Sequence, residues 1–99
     1  MNIRMIKREN EAELFLTSRL DANNSEEVGE VLFDVAERFQ NVTLNFRELE
    51  YISSAGLRIL KMLYTRVRNN GGVLAITEVT PYVQEVFEMT GFSGLLRIK

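Results

Sequence analysis

The sequence predicts an α/β domain in which a mixed sheet of four to five strands packs with three to four helices. Three observations lead to this fold class. Segments that alternate apolar and polar residues are interleaved with segments that repeat apolar residues every three to four positions. Two strand-like segments near the N-terminus are separated by only a few polar residues, which favours an antiparallel hairpin at one edge. From the second strand onward, the order β-α-β-α-β-α favours mainly parallel strands joined by right-handed crossovers.

The first three elements follow from these patterns. Residues 3–7 and 13–17 have the alternation of paired strands around a polar turn. A helix is then expected to begin at Asn24, because Asn24 and Glu27 have the spacing of a capping box. Its apolar positions recur at helical spacing and predict one buried stripe. They are Val28, Val31, Leu32, Val35, Ala36 and Phe39.

The second half of the chain continues the pattern. Residues 42–46 predict a strand, and residues 47–50 predict a loop. The next helix is expected to begin near residues 53–56 and to end at Asn70-Gly71-Gly72, because glycine accepts the left-handed conformation of a C-terminal cap. Residues 73–77 form a continuous apolar strand. Thr80 is expected to cap a short third helix with Pro81 at its first position. This helix stops near Thr90-Gly91, and residues 92–98 suggest a further turn and a short edge strand.

Length and composition predict one domain spanning residues 1–99. A chain of this length buries roughly two thirds of its surface on folding, so its core needs no metal or disulfide. There is no Cys and no His, which excludes thiolate nucleophiles, Ser-His-Asp triads and zinc fingers. We therefore expect no catalytic residues, no metal and no cofactor. Glu48 and Glu50 do not suggest an acid–base pair, because no nucleophile accompanies them.

Charge and the N-terminus bear on location and partners. The first ten residues lack the apolar segment of a signal peptide, and no apolar run is long enough to span a bilayer, so a cytoplasmic protein without membrane contact is expected. Residues 21–50 are rich in acids, whereas residues 51–77 contain bases and no acid. The net charge is only -2, so solvated helix faces explain both blocks and direct nucleic-acid binding is not expected.

One segment, residues 45–58, places two hydroxyls where a strand leads into a helix. The first amides of a helix lack partners and favour negative charge, so a phosphate on Ser53 or Ser54 would be stabilised there. The simpler interpretation is that one of the two serines is an N-cap that contributes about 1 kcal/mol. Spacing alone leaves both interpretations open.

The run Tyr51-Ile52-Ser53-Ser54-Ala55-Gly56-Leu57-Arg58 resembles the signature of STAS domains, specifically the bacterial anti-sigma factor antagonists. Members of that family have an aromatic residue, a pair often written Asp-Ser, a small residue and Gly-Leu. The stretch at 18–23 resembles the Gly-x-Leu-Asp segment of the family, and residues 74–92 fit its closing half. The resemblance covers the whole chain in order.

The resemblance implies a binding protein, not an enzyme. Antagonists of this family bind an anti-sigma factor, a serine kinase of the GHKL type, and so release a sigma factor. The kinase phosphorylates a serine of the antagonist, which ends the complex, and a PP2C-type phosphatase reverses the modification. Alternatives are a STAS subunit of a signalling scaffold or lipid-transport complex and, from a different class, a nucleotide-binding protein. The oligomeric state, monomer or weak dimer, is left open.

Aligning Gly56 with the family signature makes Ser54 the expected phosphorylation site, with Ser53 as the alternative because it stands where many members have Asp. Ser18 likewise replaces the usual Gly. The expected partner-binding residues surround the serines and include two positions of the loop before the first helix. They are Asp21, Asn23, Ser53, Ala55, Gly56, Leu57 and Arg58.

Overall fold

The computed structural model describes residues 1–92 and 97–98, and its helices pack on a five-stranded mixed sheet. The strands lie in the spatial order β1-β2-β3-β4-β5; β1 and β2 are antiparallel, and the other neighbours are parallel. This confirms the predicted fold class. The elements run in chain order as β1 (Ile3–Arg8), β2 (Glu11–Leu20), α1 (Ser25–Arg38), β3 (Asn41–Ile52), α2 (Ser54–Asn69), β4 (Leu74–Thr77), α3 (Pro81–Thr90) and β5 (Arg97–Ile98).

The helices cover one face of this sheet. Each crossover steps to the next strand in the same direction, and right-handed crossovers that advance in one direction place their helices on one side. The alternation in β2 agrees, since Leu14 and Leu16 are buried and Glu13 and Thr17 are only half-buried. On the covered face, the Phe87 ring of α3 lies 6.3 Å from the Phe46 ring of β3, measured between centroids. This contact fixes α3 against the centre of the sheet.

Strand β3 is much longer than the predicted strand at 42–46, and the predicted loop at 47–50 was wrong. The pairing of β3 with β2 contains two register shifts. At the first, residues 15 to 17 of β2 lie opposite residues 45 to 48 of β3; at the second, 18 to 19 lie opposite 49 to 51. At each shift β3 contributes one residue more than β2, as in a β-bulge.

The bulges explain why the apolar pattern did not predict the second half of β3. Phe46, Leu49 and Ile52 are all buried, although each lies three positions after the one before it. Strict alternation would turn Leu49 away from the core. One extra residue per bulge restores the inward direction, so the chain stays in the sheet while its apolar period changes from two to three.

The start of α1 differs from the predicted capping box. The helix begins at Ser25, and the Asn24 side chain makes no capping hydrogen bond. Instead, Asn24 Nδ2 donates to the Arg19 carbonyl oxygen at 2.8 Å, and the Asp21 backbone N–H donates to Asn24 Oδ1 at 2.9 Å. The Asn24 side chain therefore ties the loop to β2. Val31, predicted in the buried stripe, is 41% exposed because it lies on the flank of that stripe.

The end of α2 confirms the predicted glycine cap, and Gly71 and Gly72 have different roles in it. Gly71 has φ +78° and donates its backbone N–H to the Arg68 carbonyl oxygen at 2.9 Å, while Gly72 donates to the Val67 carbonyl oxygen at 3.0 Å. This pair of bonds is the Schellman motif, with Gly71 as its left-handed residue. Gly72 has no positive φ.

The start of α3 is only partly as expected. Pro81 stands at the first helical position and Gly91 ends the helix with φ +76°, as predicted. Thr80 makes no side-chain cap; its hydroxyl donates to the Leu49 carbonyl oxygen at 3.2 Å, because that part of β3 extends beyond the end of β4. The predicted C-terminal edge strand is present as β5, whereas the predicted turn falls largely on residues 93–96, outside the described residues.

Among the helices of the described residues, none combines the length and apolar composition needed to cross a lipid bilayer. Within the same residues, no three His, Cys, Asp or Glu side chains form a group that would hold a metal ion.

Candidate functional site

The two predicted serines lie where the ends of β2 and β3 meet the start of α2. Leu20 and Ile52 pair as the last residues of the two parallel strands, and the Ser53 backbone N–H donates to the Leu20 carbonyl oxygen at 2.9 Å. In open α/β sheets this edge, outside the carboxyl ends of the strands, is where binding sites form. The register of β2 and β3 thus places Ser53 and Ser54 at that edge.

The two serine hydroxyls differ in what they contact. Ser53 is the N-cap of α2, and its Oγ accepts a hydrogen bond from the Gly56 backbone N–H at 3.2 Å. Ser54 is the first residue of the helix and is exposed. Its hydroxyl makes no hydrogen bond with any residue that the structure describes. The N-cap interpretation therefore applies to Ser53, and the Ser54 hydroxyl faces solvent.

The electrostatics of this helix start favour an added anion. The first turn of α2 contains no acidic residue, and Arg58 is exposed one turn after Ser54. The N-terminus of a helix carries a partial positive charge from its unpaired amides. A phosphate on Ser54 would lie next to those amides, without a carboxylate of the same turn to repel it.

Gly56 brings α2 close to the end of β2. A Cβ at this position would lie 2.7 Å from Leu20 Cγ and 2.8 Å from the Leu20 carbonyl oxygen, both too short for a real contact. Gly56 is buried, and Leu57 beside it is only 6% exposed. Both were expected in the partner-binding face, and the structure places the Leu57 side chain in the core. Ala55 is half-buried.

The loop between β2 and α1 forms the neighbouring wall of the site. Asp21 Oδ1 accepts a hydrogen bond from the Asn23 backbone N–H at 2.9 Å, and Asp21 Oδ2 lies 3.4 Å from Arg19 Nε. The Asp21 carbonyl oxygen also accepts from the Ser25 backbone N–H at 2.9 Å. Asp21 therefore organises the loop, and the exposed Asn23 is its outermost polar side chain among the predicted partner residues.

A row of side chains that the sequence analysis missed borders the site. The Arg19 guanidinium lies 4.1 Å from the centroid of the Tyr51 ring, and the Tyr51 ring stacks on the Tyr82 ring at 5.8 Å with an interplanar angle of 19°. We call these three residues the Arg–Tyr–Tyr stack. They come from β2, β3 and α3, and Arg19 and Tyr51 face each other only because of the second bulge. The spacing of these residues in the sequence does not predict that they stack.

A depression of about 610 Å³ lies on the opposite, open face of the sheet and does not include the serines. The first bulge helps to form it, since Arg47 and Glu48 both point away from the core there. Guanidinium and carboxylate groups line it in equal number. It is lined by Arg4, Phe15, Leu16, Asn45, Arg47, Glu48 and Glu78.

The assignment of the N-cap predicts different stabilities for two alanine variants. Ser53→Ala removes the acceptor of the Gly56 N–H and should lower the free energy of unfolding by about 1 kcal/mol. Ser54→Ala removes a solvent-facing hydroxyl and should change it by less than about 0.5 kcal/mol. Urea denaturation of the two variants and the wild type measures both values. A larger loss for Ser54→Ala would show that the cap has been assigned to the wrong serine.

The chain is similar in sequence to known proteins. BtrV of Bordetella bronchiseptica, a candidate anti-sigma factor antagonist, is 35% identical over 77 residues, which are 78% of this chain and 66% of BtrV. The matched part thus spans just under two thirds of that relative.

Solved structures match the fold at lower identity. A candidate anti-sigma factor antagonist from Thermotoga maritima superposes with a TM-score of 0.90 at 17% identity, covering 97% of this chain and 84% of that one. The anti-sigma factor antagonist SpoIIAA, a Bacillus cell fate determinant, has a TM-score of 0.78 in its unphosphorylated form at 13% identity, covering 99% and 87% of the two chains. Its phosphorylated form has the same TM-score at 14% identity, covering 99% and 91%. The family model of the STAS domain matches residues 2–99, and the chain therefore belongs to the STAS domain family.

Proposed function

We propose that this chain is an anti-sigma factor antagonist that acts by binding an anti-sigma factor serine kinase of the GHKL type. In this proposal, phosphorylation of Ser54 ends the complex and a PP2C-type phosphatase restores the binding form. Membership of the STAS family and the names of the relatives support the antagonist role. SpoIIAA, which shares the fold, has been solved in both a phosphorylated and an unphosphorylated form.

The observation that carries the proposal is the exposed Ser54 hydroxyl at the first position of α2. A kinase must reach a hydroxyl that is not already used in the fold. Ser53 fails this requirement in part, because its Oγ accepts the Gly56 N–H. Ser54 meets it, and this favours Ser54 over Ser53 as the acceptor.

The chemistry of the switch follows from phosphoryl transfer. Ser54 Oγ attacks the γ-phosphorus of ATP, the bond from that phosphorus to the bridging oxygen breaks, and ADP leaves with the electron pair. The hydroxyl proton passes to a base of the kinase. The product carries about -1.5 to -2 charges and three acceptor oxygens. The free chain accommodates this group at the helix N-terminus, whereas a partner packed over Ser54 would have to enclose an unpaired charge.

The partner face that we propose around Ser54 uses groups from two loops and one helix start. Asn23 and Arg58 are exposed, and Asp21, Ser53 and Ala55 are half-buried beside them. Gly56 contributes by allowing α2 to approach β2. Because Asp21 already bonds within its loop, its role in this face is to hold the Asn23 backbone in place.

Mass spectrometry of the intact protein tests the proposal. The chain is incubated with magnesium, ATP and the purified GHKL-type anti-sigma factor kinase of the same organism. One added phosphate is expected on the wild type and on Ser53→Ala, and none on Ser54→Ala, because Ser54 alone presents a free hydroxyl at this helix start. Peptide mapping locates the phosphate. A wild-type chain that gains no phosphate and forms no complex with the kinase would refute the proposed function.

A further inference from the structure

The Arg–Tyr–Tyr stack lies on the same edge of the sheet as Ser54 and takes no part in the phosphorylation chemistry. Tyr51 and Ser54 are three residues apart, so their Cα atoms lie within about 11 Å of each other. Arg19 joins the stack to the other wall of the site, since its Nε lies 3.4 Å from Asp21 Oδ2. Asp21 and the stack therefore form one continuous strip that begins in the proposed partner face.

The strip remains accessible in the folded chain. Tyr82 is 46% exposed, and the Arg19 side chain is 57% exposed. Tyrosine and arginine, together with tryptophan, are enriched among the residues that dominate binding energy at protein interfaces. Arg19 and Tyr82 are exposed on either side of the half-buried Tyr51, and this row of three side chains is therefore a candidate binding surface.

The stack is also held in place before any partner arrives. The pairing of β2 with β3 sets Arg19 opposite Tyr51. The Thr80 hydroxyl donates to the Leu49 carbonyl oxygen at 3.2 Å, and this bond fixes the start of α3, and with it Tyr82, against β3. Side chains that are already ordered lose less conformational entropy on binding, which increases affinity.

We propose that the Arg–Tyr–Tyr stack is a specificity-determining part of the partner face, on which the anti-sigma factor kinase packs a side chain against the free face of the Tyr82 ring. This inference rests on the proposed function, and it extends the partner face from the loop at Asp21 to the start of α3. The occupant is the kinase because Arg19 of the stack is in direct contact with Asp21, which belongs to the partner face proposed above. The stack then selects among kinases by shape, while Ser54 controls whether any kinase stays bound.

A purely structural stack would behave differently. In that case Tyr82 would only tether α3 to β3, and its removal would lower stability without a specific effect on binding. Tyr82→Ala at an exposed helix position is compatible with folding, because alanine is a good helix former. Tyr82→Phe keeps the ring and removes only the hydroxyl. Met89→Ala is the matched control, because Met89 lies on the same helix, is 78% exposed and is absent from the stack.

Binding of each variant to the purified GHKL-type kinase of the same organism, with ADP to keep Ser54 unmodified, is measured by isothermal titration calorimetry. We expect Tyr82→Ala to weaken binding about 10- to 50-fold, as for a central interface aromatic, and Tyr82→Phe and Met89→Ala to stay within about threefold of wild type. Melting temperatures measured in parallel show whether each variant is folded under the conditions of the titration.

The outcomes separate this inference from the proposed function. If the wild type binds and a folded Tyr82→Ala variant binds equally well, the stack has no role in recognition, although the proposed function stands. Equal weakening by Tyr82→Ala and Met89→Ala would also overturn the inference, because it would not be specific to the stack. If the wild type does not bind the kinase at all, both the proposed function and this inference are wrong.

Discussion

Replacing Ser54 with Asp is expected to weaken binding of the anti-sigma factor kinase at least 100-fold, whereas Ser54→Ala should bind within about threefold of wild type. The reason is the cost of enclosing a carboxylate without a partner in a protein interface, which amounts to several kcal/mol, and each 1.4 kcal/mol is a factor of ten. The free chain should tolerate the same carboxylate, because Asp is favourable in the first turn of a helix.

Calorimetric titration of the kinase with the two Ser54 variants measures this effect, and a melting curve of each variant shows that the fold is intact. Ser53→Asp is the matched control, since it adds the same charge one residue earlier. Its carboxylate can accept the Gly56 N–H as the Ser53 hydroxyl does. Anti-sigma factor antagonists, which this sequence resembles, often have Asp at this position. We therefore expect Ser53→Asp to retain binding. If Ser53→Asp and Ser54→Asp lose binding equally, the switch is not specific to Ser54.

The largest loss of stability is expected for Gly72→Ala. A Cβ at position 72 would lie 1.6 Å from the Gln40 carbonyl oxygen, and this backbone atom can move only if the start of β3 moves with it. We expect the free energy of unfolding to fall by at least about 3 kcal/mol, which is the upper part of the range for overpacked sites. For a domain of this size the melting temperature should fall by about 12 °C or more.

Gly71→Ala is the control for the neighbouring position. Gly71 has φ +78°, so alanine is strained there, but a Cβ would meet only the Gln40 side-chain nitrogen at 3.6 Å. A loss of about 1 kcal/mol is expected from the left-handed backbone conformation. Thermal and urea denaturation of both variants give the comparison. A loss for Gly71→Ala equal to or larger than that for Gly72→Ala would contradict this account of the two glycines.

Features that depend on a local signal could be predicted from the sequence. Pro81 at the first position of α3 and Gly71 and Gly91 after the helix ends follow from nearest neighbours, and the structure confirms them. Features in which one element depends on another could not be predicted in this way. Asn24 and Thr80 were both expected as side-chain caps, but Asn24 Nδ2 donates to the Arg19 carbonyl oxygen of β2, and the Thr80 hydroxyl donates to the Leu49 carbonyl oxygen of β3.

The candidate site shows the same division. The position of two serines at the start of a helix followed from the apolar periods on either side of residues 53 and 54. Which serine is used as the cap and which is exposed did not follow, because both have suitable spacing. The structure decided it, because Ser53 Oγ accepts the Gly56 N–H while Ser54 is exposed at the first position of the helix.

The order of strands and helices, the buried side of each helix, and the meeting of a strand end with a pair of hydroxyls could all be predicted from residue spacing. These properties depend on interactions between residues a few positions apart, which spacing records. The full length of β3, the steric role of Gly72 and the stacking of Tyr51 between Arg19 and Tyr82 became visible only in the folded chain. Each depends on the register between strands or on the approach of two backbones, and no local pattern of apolar and polar residues encodes those distances.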